Sequence, residues 1–69
     1  MLANLNAEIA RNGYSKKDIA IMLNLSYKAF LNKISEKTSF TLHEIRLIMS
    51  LFPNFEFNYL FATREVRDE

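Results

Sequence analysis

Three hydroxyl side chains, Ser15, Ser26 and Thr41, each stand directly before a run of apolar residues at helical spacing. A Ser or Thr in that place accepts a hydrogen bond from a free N–H of the first helical turn, so each marks a helix start. Ser15 is followed three residues later by Asp18, close to a capping box. Thr41 is followed by Glu44, which completes one. Gly13 and Asn24 stand where a first and a second helix should stop, and both residue types accept the left-handed conformation of a helix end. Pro53 and Asn54 stop the fourth. With one Gly and one Pro in 69 residues, the chain has few other places to turn. The expected fold is all-α, with five helices at about 2–11, 16–23, 27–35, 42–52 and 56–62. No segment of useful length alternates with period two, so no sheet is expected.

Each expected helix has an apolar stripe: Leu2, Leu5 and Ile9; Ile19, Ala20 and Leu23; Phe30 and Ile34; Leu42, Ile45, Ile48, Met49 and Phe52; Phe57, Leu60 and Phe61. Beyond the initiator, the Met residues read as core. Sixty-nine residues make one domain, and 49% hydrophobic content is too high for a disordered chain. A core of this size supplies only roughly 3–5 kcal/mol, so a partner subunit would help. The absence of Cys excludes a disulfide framework, a finger-type zinc site and a thiol nucleophile. No apolar run is long enough for a membrane helix, and MLANLNAE lacks the pattern of a signal peptide. The expectation is a small cytoplasmic domain of residues 1–62, followed by a charged, frayed tail at 63–69.

The informative stretch is 16–35, KKDIAIMLNLSYKAFLNKIS, which has the parts of a helix-turn-helix. Two steeply crossed helices need a small residue where they touch, and Ala20 provides it. The turn needs a residue that accepts positive φ, and Asn24 does so. Ile19, Leu23, Leu25 and Phe30 brace the turn, and Ser26 caps the second helix. The last apolar brace of the motif falls on Lys33, the wrong residue type; Ile34, one turn after Phe30, takes over. The order of parts resembles the Cro / lambda-repressor-like family of small DNA-binding regulators. A first helix ends in N-G-Y; S-K-K-D-I-A, L-N-L-S, F-T-L-H-E-I and F-N-Y-L-F follow, over about residues 2–62. The F-T-L-H-E-I segment and the short length are similar to phage and prophage members. Many members have Gly where Asn24 stands. Some join the first helix to the end of the third by a buried Arg–Glu pair, where this chain has Ile9 and Ile34.

The resemblance implies that the helix at 27–35 lies in the DNA major groove and reads bases near its N-terminus. Phe30 and Ile34 turn inward on a helical wheel, leaving Lys28, Leu31, Asn32 and Ser35 on the opposite side. The implied base-reading residues are Tyr27, Lys28 and Asn32, with Leu31 able to touch a thymine methyl. Lys donates to guanine, Asn pairs with adenine, and Tyr27 reads a base or bonds a phosphate. The expected phosphate contacts are Ser15, Lys16, Lys17, Ser26, Lys37, Thr41 and His43, at helix starts and after the third helix. Charge agrees: residues 15–37 hold five Lys against Asp18 and Glu36, and residues 38–69 hold three Arg against five acids. The net +1 therefore conceals a basic middle and an acidic end. Plainer readings stand beside these. Lysines on two helices also make an ordinary solvated surface, Asn32 also suits an exposed helix position, and a lone His43 in a first helical turn suits a surface role.

Phe55, Phe57, Tyr59 and Phe61 fall within seven residues, more than one short helix can bury. Either Phe57, Leu60 and Phe61 close the core with Phe55 and Tyr59 half exposed, or the four form a dimer patch. Cro-like members commonly pair through this end, which implies a homodimer at least on DNA and an inverted-repeat operator. No catalytic set, metal site, cofactor or small-molecule ligand is expected: the carboxylates stand singly on helix starts and in the tail, and there is no Gly-rich phosphate loop. The expected function is a sequence-specific, Cro-like transcriptional repressor that binds double-stranded DNA. The alternatives are a protein-interaction module on the same fold, such as an antirepressor or adaptor, and an antitoxin.

Overall fold

The computed structural model describes residues 1–63, so the expectation of a frayed tail falls outside the described residues, Thr63 apart. These residues form five helices: α1 (Ala3–Arg11), α2 (Lys16–Met22), α3 (Tyr27–Ile34), α4 (Leu42–Leu51) and α5 (Phe57–Leu60). No strand occurs among the described residues, and none of their helices is long and apolar enough to cross a membrane. The three expected caps are in place. Ser15 Oγ accepts from Asp18 N–H, Ser26 Oγ from Ala29 N–H, and Thr41 and Glu44 form a full reciprocal capping box. α1 starts one residue later than expected, without a side-chain cap; instead the Leu2 N–H donates to Ile34 C=O at 2.9 Å and ties the chain start to the end of α3. α5 is a single turn, shorter than the expected 56–62.

Three helices end in the same way. After α1, Gly13 has φ +81°, and the N–H groups of Gly13 and Tyr14 reach back to Ala10 and Ile9 C=O. After α2, Asn24 has φ +61°, and Asn24 and Leu25 reach back to Ile21 and Ala20. After α3, Glu36 has φ +72°, and Glu36 and Lys37 reach back to Lys33 and Asn32. These are Schellman closures, in which a left-handed residue lets two N–H groups satisfy carbonyls that the helix leaves open. A Cβ at Gly13 would meet no heavy atom within 4 Å. Gly13→Ala is therefore expected to cost only the backbone penalty, about 1–2 kcal/mol, in urea unfolding. Asn24→Gly should leave the midpoint nearly unchanged or raise it.

The core draws on every helix: Leu2, Leu5 and Ile9; Ile19, Ala20 and Leu23; Phe30 and Ile34; Ile48 and Phe52; and Leu60. Three expectations about the core need correction. Leu42 is 63% exposed, because it is the first residue of α4 and stands outside the packed turns. Phe40, two residues earlier, fills this end of the core, with its ring 6.0 Å from Phe30 and 5.9 Å from Phe61. Phe57 is 48% exposed, because a one-turn helix turns one side inward and Leu60 occupies it. Met22 is exposed on α2 beside Ile21, rather than in the core. Ile9 and Ile34 are both buried, as their apolar character requires.

Candidate nucleic-acid interface

α2 and α3 are joined through residues 23–26, and their starts come close in space. The Lys17 ammonium lies 5.6 Å from the centre of the Tyr27 ring, a cation–π contact between the first turns of the two helices. Tyr27 and Lys28 are exposed at the head of α3, while Leu31 and Asn32 are half-buried further along. Leu31 is thus more covered than a fully outward face implies. The Asn32 side-chain amide has no hydrogen-bond partner among the described residues. Its backbone C=O, in contrast, accepts from Lys37 N–H at 2.8 Å, Thr38 N–H at 3.3 Å and the Ser35 hydroxyl at 3.1 Å. The chain after α3 therefore folds back onto the Asn32 turn and brings the Lys37 backbone against it.

The remaining candidates lie at the edges of this pair. Lys16 is half-buried at the start of α2, and Lys37 and His43 are exposed. Ser15, Ser26 and Thr41 are exposed, and each accepts from its own helix as a cap. A capping hydroxyl keeps its own hydrogen for another acceptor. No such acceptor is present among the described residues, so all three can still donate to an anion. Nor does a described carboxylate form an ion pair with Lys16, Lys17, Lys28 or Lys37, whereas Lys33 and Arg11 are taken up by Glu44 and Glu8.

Those two pairs are what the linear reading missed. Carboxylates do not stand only at helix starts. Glu8 is buried in the middle of α1, where it accepts from Arg11 at 2.6 Å and from the Tyr59 hydroxyl at 2.8 Å. Asn4 donates to the Tyr59 C=O at 2.9 Å, so α1 holds α5 by both the ring hydroxyl and the backbone of one residue. The four residues of the aromatic end are arranged as two stacked pairs. Phe55 stacks on Tyr59 with ring centres 5.6 Å apart, and Phe57 stacks on Phe61 at 5.0 Å. Phe57 and Tyr59 are the exposed members of the two stacks, Phe57 the more so.

Glu44 does two jobs. Its Oε1 accepts from Thr41 N–H at 2.9 Å and from Lys33 Nζ at 3.0 Å. Burial by itself would raise the Glu44 pKa, but the Thr41 N–H and the Lys33 ammonium outweigh it and hold the carboxyl below its ordinary value. A carboxyl whose pKa is lower folded than unfolded stabilises the fold above the ordinary carboxylate range, and this contribution is lost as pH falls through the lowered folded value. The melting temperature is expected to fall on acidification below about pH 4.5. In Glu44→Gln, which keeps an acceptor for the cap, part of that fall should be absent. Identical acid profiles for the two proteins would remove Glu44 as a source of it.

No cluster of three or more His, Cys, Asp or Glu side chains that could hold a metal occurs among the described residues. No protein-family model, curated protein or solved structure matches the chain.

Proposed function

We propose that the chain is a sequence-specific DNA-binding transcriptional regulator of the Cro-like repressor type, acting in the cytoplasm on a short inverted repeat. The observation that carries the reading is the joint presentation on α3 of Tyr27, Lys28 and the Asn32 amide, flanked by lysines, with neither the amide nor these lysines taken up by another side chain among the described residues. In this reading α2 and α3 are a helix-turn-helix and α3 enters the major groove. Lys28 donates to guanine, the Asn32 amide pairs with adenine, and Leu31 meets a thymine methyl with whatever part of its side chain is uncovered. Lys16, Lys17, Lys37 and His43, with the cap hydroxyls of Ser15, Ser26 and Thr41, contact the backbone. Tyr27 is held by Lys17, so the two approach the duplex as one unit.

Two copies pair through the α5 end, led by exposed Phe57 and its stack on Phe61. Tyr59 and Phe55 lend this end stiffness, since Tyr59 is fastened to α1. A two-fold axis there sets the two reading helices about one DNA turn, roughly 34 Å, apart. Repression then follows from occupying a promoter.

The test is selection of duplexes from a random pool, followed by titration at two salt concentrations. Enrichment of an inverted repeat supports the reading. Absence of binding at low salt by the folded chain overturns it, and turns attention to Ile21 and Met22. These are exposed side by side on α2, Ile21 at 75%, and favour a protein partner. Given a selected site, Asn32→Ala and Lys28→Ala are each expected to reduce discrimination against random DNA by roughly 1–3 kcal/mol. Lys16→Ala should weaken both duplexes alike. Unchanged specificity in Asn32→Ala would mean that α3 presents a different face.

A further inference from the structure

The helix that this reading lays in the groove carries one lysine that is not available to DNA. Lys33 Nζ donates to Glu44 Oε1 at 3.0 Å and to Ser39 C=O at 2.9 Å, and the two paired side chains are only 14% and 11% exposed. The ammonium also lies 5.9 Å from the centre of the Phe40 ring, and Phe40 packs against Phe30. The same Glu44 oxygen receives the Thr41 N–H. The Lys33 ammonium and this one carboxylate oxygen together join the last turn of α3, the connection through Ser39 and the start of α4.

An ion pair of this burial is a poor source of stability, since apolar groups of similar shape commonly serve as well. Its distinctive property is direction. A carboxylate shared between a backbone N–H and an ammonium admits few arrangements, whereas apolar contacts admit many. On one side of this node stand Lys28 and Asn32, on the same helix as Lys33. On the other stand Lys37, Thr41 and His43, in the connection and the first turn of α4.

We infer that Lys33 and Glu44 are positioning residues for DNA recognition: their pair holds α3 and the start of α4 in one register, so that base-reading and backbone-contacting groups engage the duplex together. This rests on the DNA-binding reading above. Random DNA is held by backbone contacts alone and tolerates slack between the two segments. A specific site needs both sets at once, so the pair acts on specificity and makes no phosphate contact of its own.

Lys33→Met keeps most of the stem over Phe40, and Glu44→Gln keeps the capping-box acceptor. Each single variant leaves a buried charge without its partner and is expected to melt several degrees lower. The double variant removes both charges and should recover most of the loss. Each protein is titrated with the selected repeat and with random duplex over a salt series. The orientation of α3 relative to α4 is measured in the free protein by residual dipolar couplings. The double variant is expected to show near-parental melting and salt slope, a changed α3–α4 orientation, and a preference for the selected repeat reduced roughly tenfold. Recovery of full preference together with stability would make the pair merely structural and overturn the inference. So would a salt slope lower by about one per chain, which marks a direct phosphate contact. An unchanged α3–α4 orientation overturns it whatever the DNA result. A parental chain that selects no sequence sinks the DNA reading itself, and the couplings then judge the pair's hold on α3 separately.

Discussion

Phe30→Ala is expected to leave the chain largely unfolded at 37 °C. Phe30 has no exposed surface and is the largest side chain completely enclosed by the fold. It stands in the middle of α3, with the Phe40 ring 6.0 Å away and Phe61 edge-on to Phe40 beyond it. Truncating such a ring costs about 3–5 kcal/mol, the lost transfer energy plus the cavity left behind. A domain of this length has roughly 3–5 kcal/mol of core stabilisation in total. The two quantities are equal in size, so the folded population should collapse rather than merely decline. Circular dichroism and urea titration check this directly. Tyr27→Ala, three residues earlier on the same helix and exposed, is the control, with an expected change within about 1 kcal/mol. If Phe30→Ala kept a cooperative transition with a comparable midpoint, the inward face of α3 would have been assigned to the wrong residues.

That inward face was legible in the sequence because its signals are local. Ser26 caps α3, Asn24 closes α2, and Phe30 and Ile34 are one turn apart; each statement involves neighbours along the chain. What was not legible lies across the chain. Glu36 adopts φ +72° although glutamate has no preference for it. The demand comes from the return of Lys37 and Thr38 to Asn32 C=O. Lys33 looked misplaced because its reason, Glu44, is 11 residues away on another helix. Glu8 likewise finds Tyr59 from 51 residues away. Half of the aromatic end was within reach: Phe57 and Phe61 are one helical turn apart and stack, whereas Phe55, which stacks on Tyr59, precedes α5 and is placed by the turn after Pro53. For the candidate interface, residue types and their helix were readable in advance. The half-burial of Leu31 and the removal of Lys33 from the free charges were not, because both depend on what the segment after α3 covers.

The proposed dimer predicts a salt dependence that a single bound chain cannot imitate. Lys33 and Arg11 are committed to carboxylates, and Lys28 is assigned to bases. Of the lysines, Lys16, Lys17 and Lys37 then remain for phosphates in each chain, and with Arg46 placed on α4, outside the contacts assigned to DNA, that makes about six neutralised phosphates for two copies. Each releases its condensed counterion, so log K should fall against log salt with a slope of roughly −5 for the dimer and about −3 for one chain. Between about 50 and 200 mM salt, affinity should therefore drop on the order of a thousandfold for the dimer and a few tens of fold for the monomer. The measurement is a fluorescence titration on the selected repeat and on an isolated half-site. A steep slope on the repeat with a shallow one on the half-site is the expected pattern. Phe57→Ser should move the repeat toward the half-site value by weakening the pairing surface without touching a lysine. A slope near −1 on both duplexes would mean that these lysines face solvent in the complex, and the binding face would have to be sought away from α3.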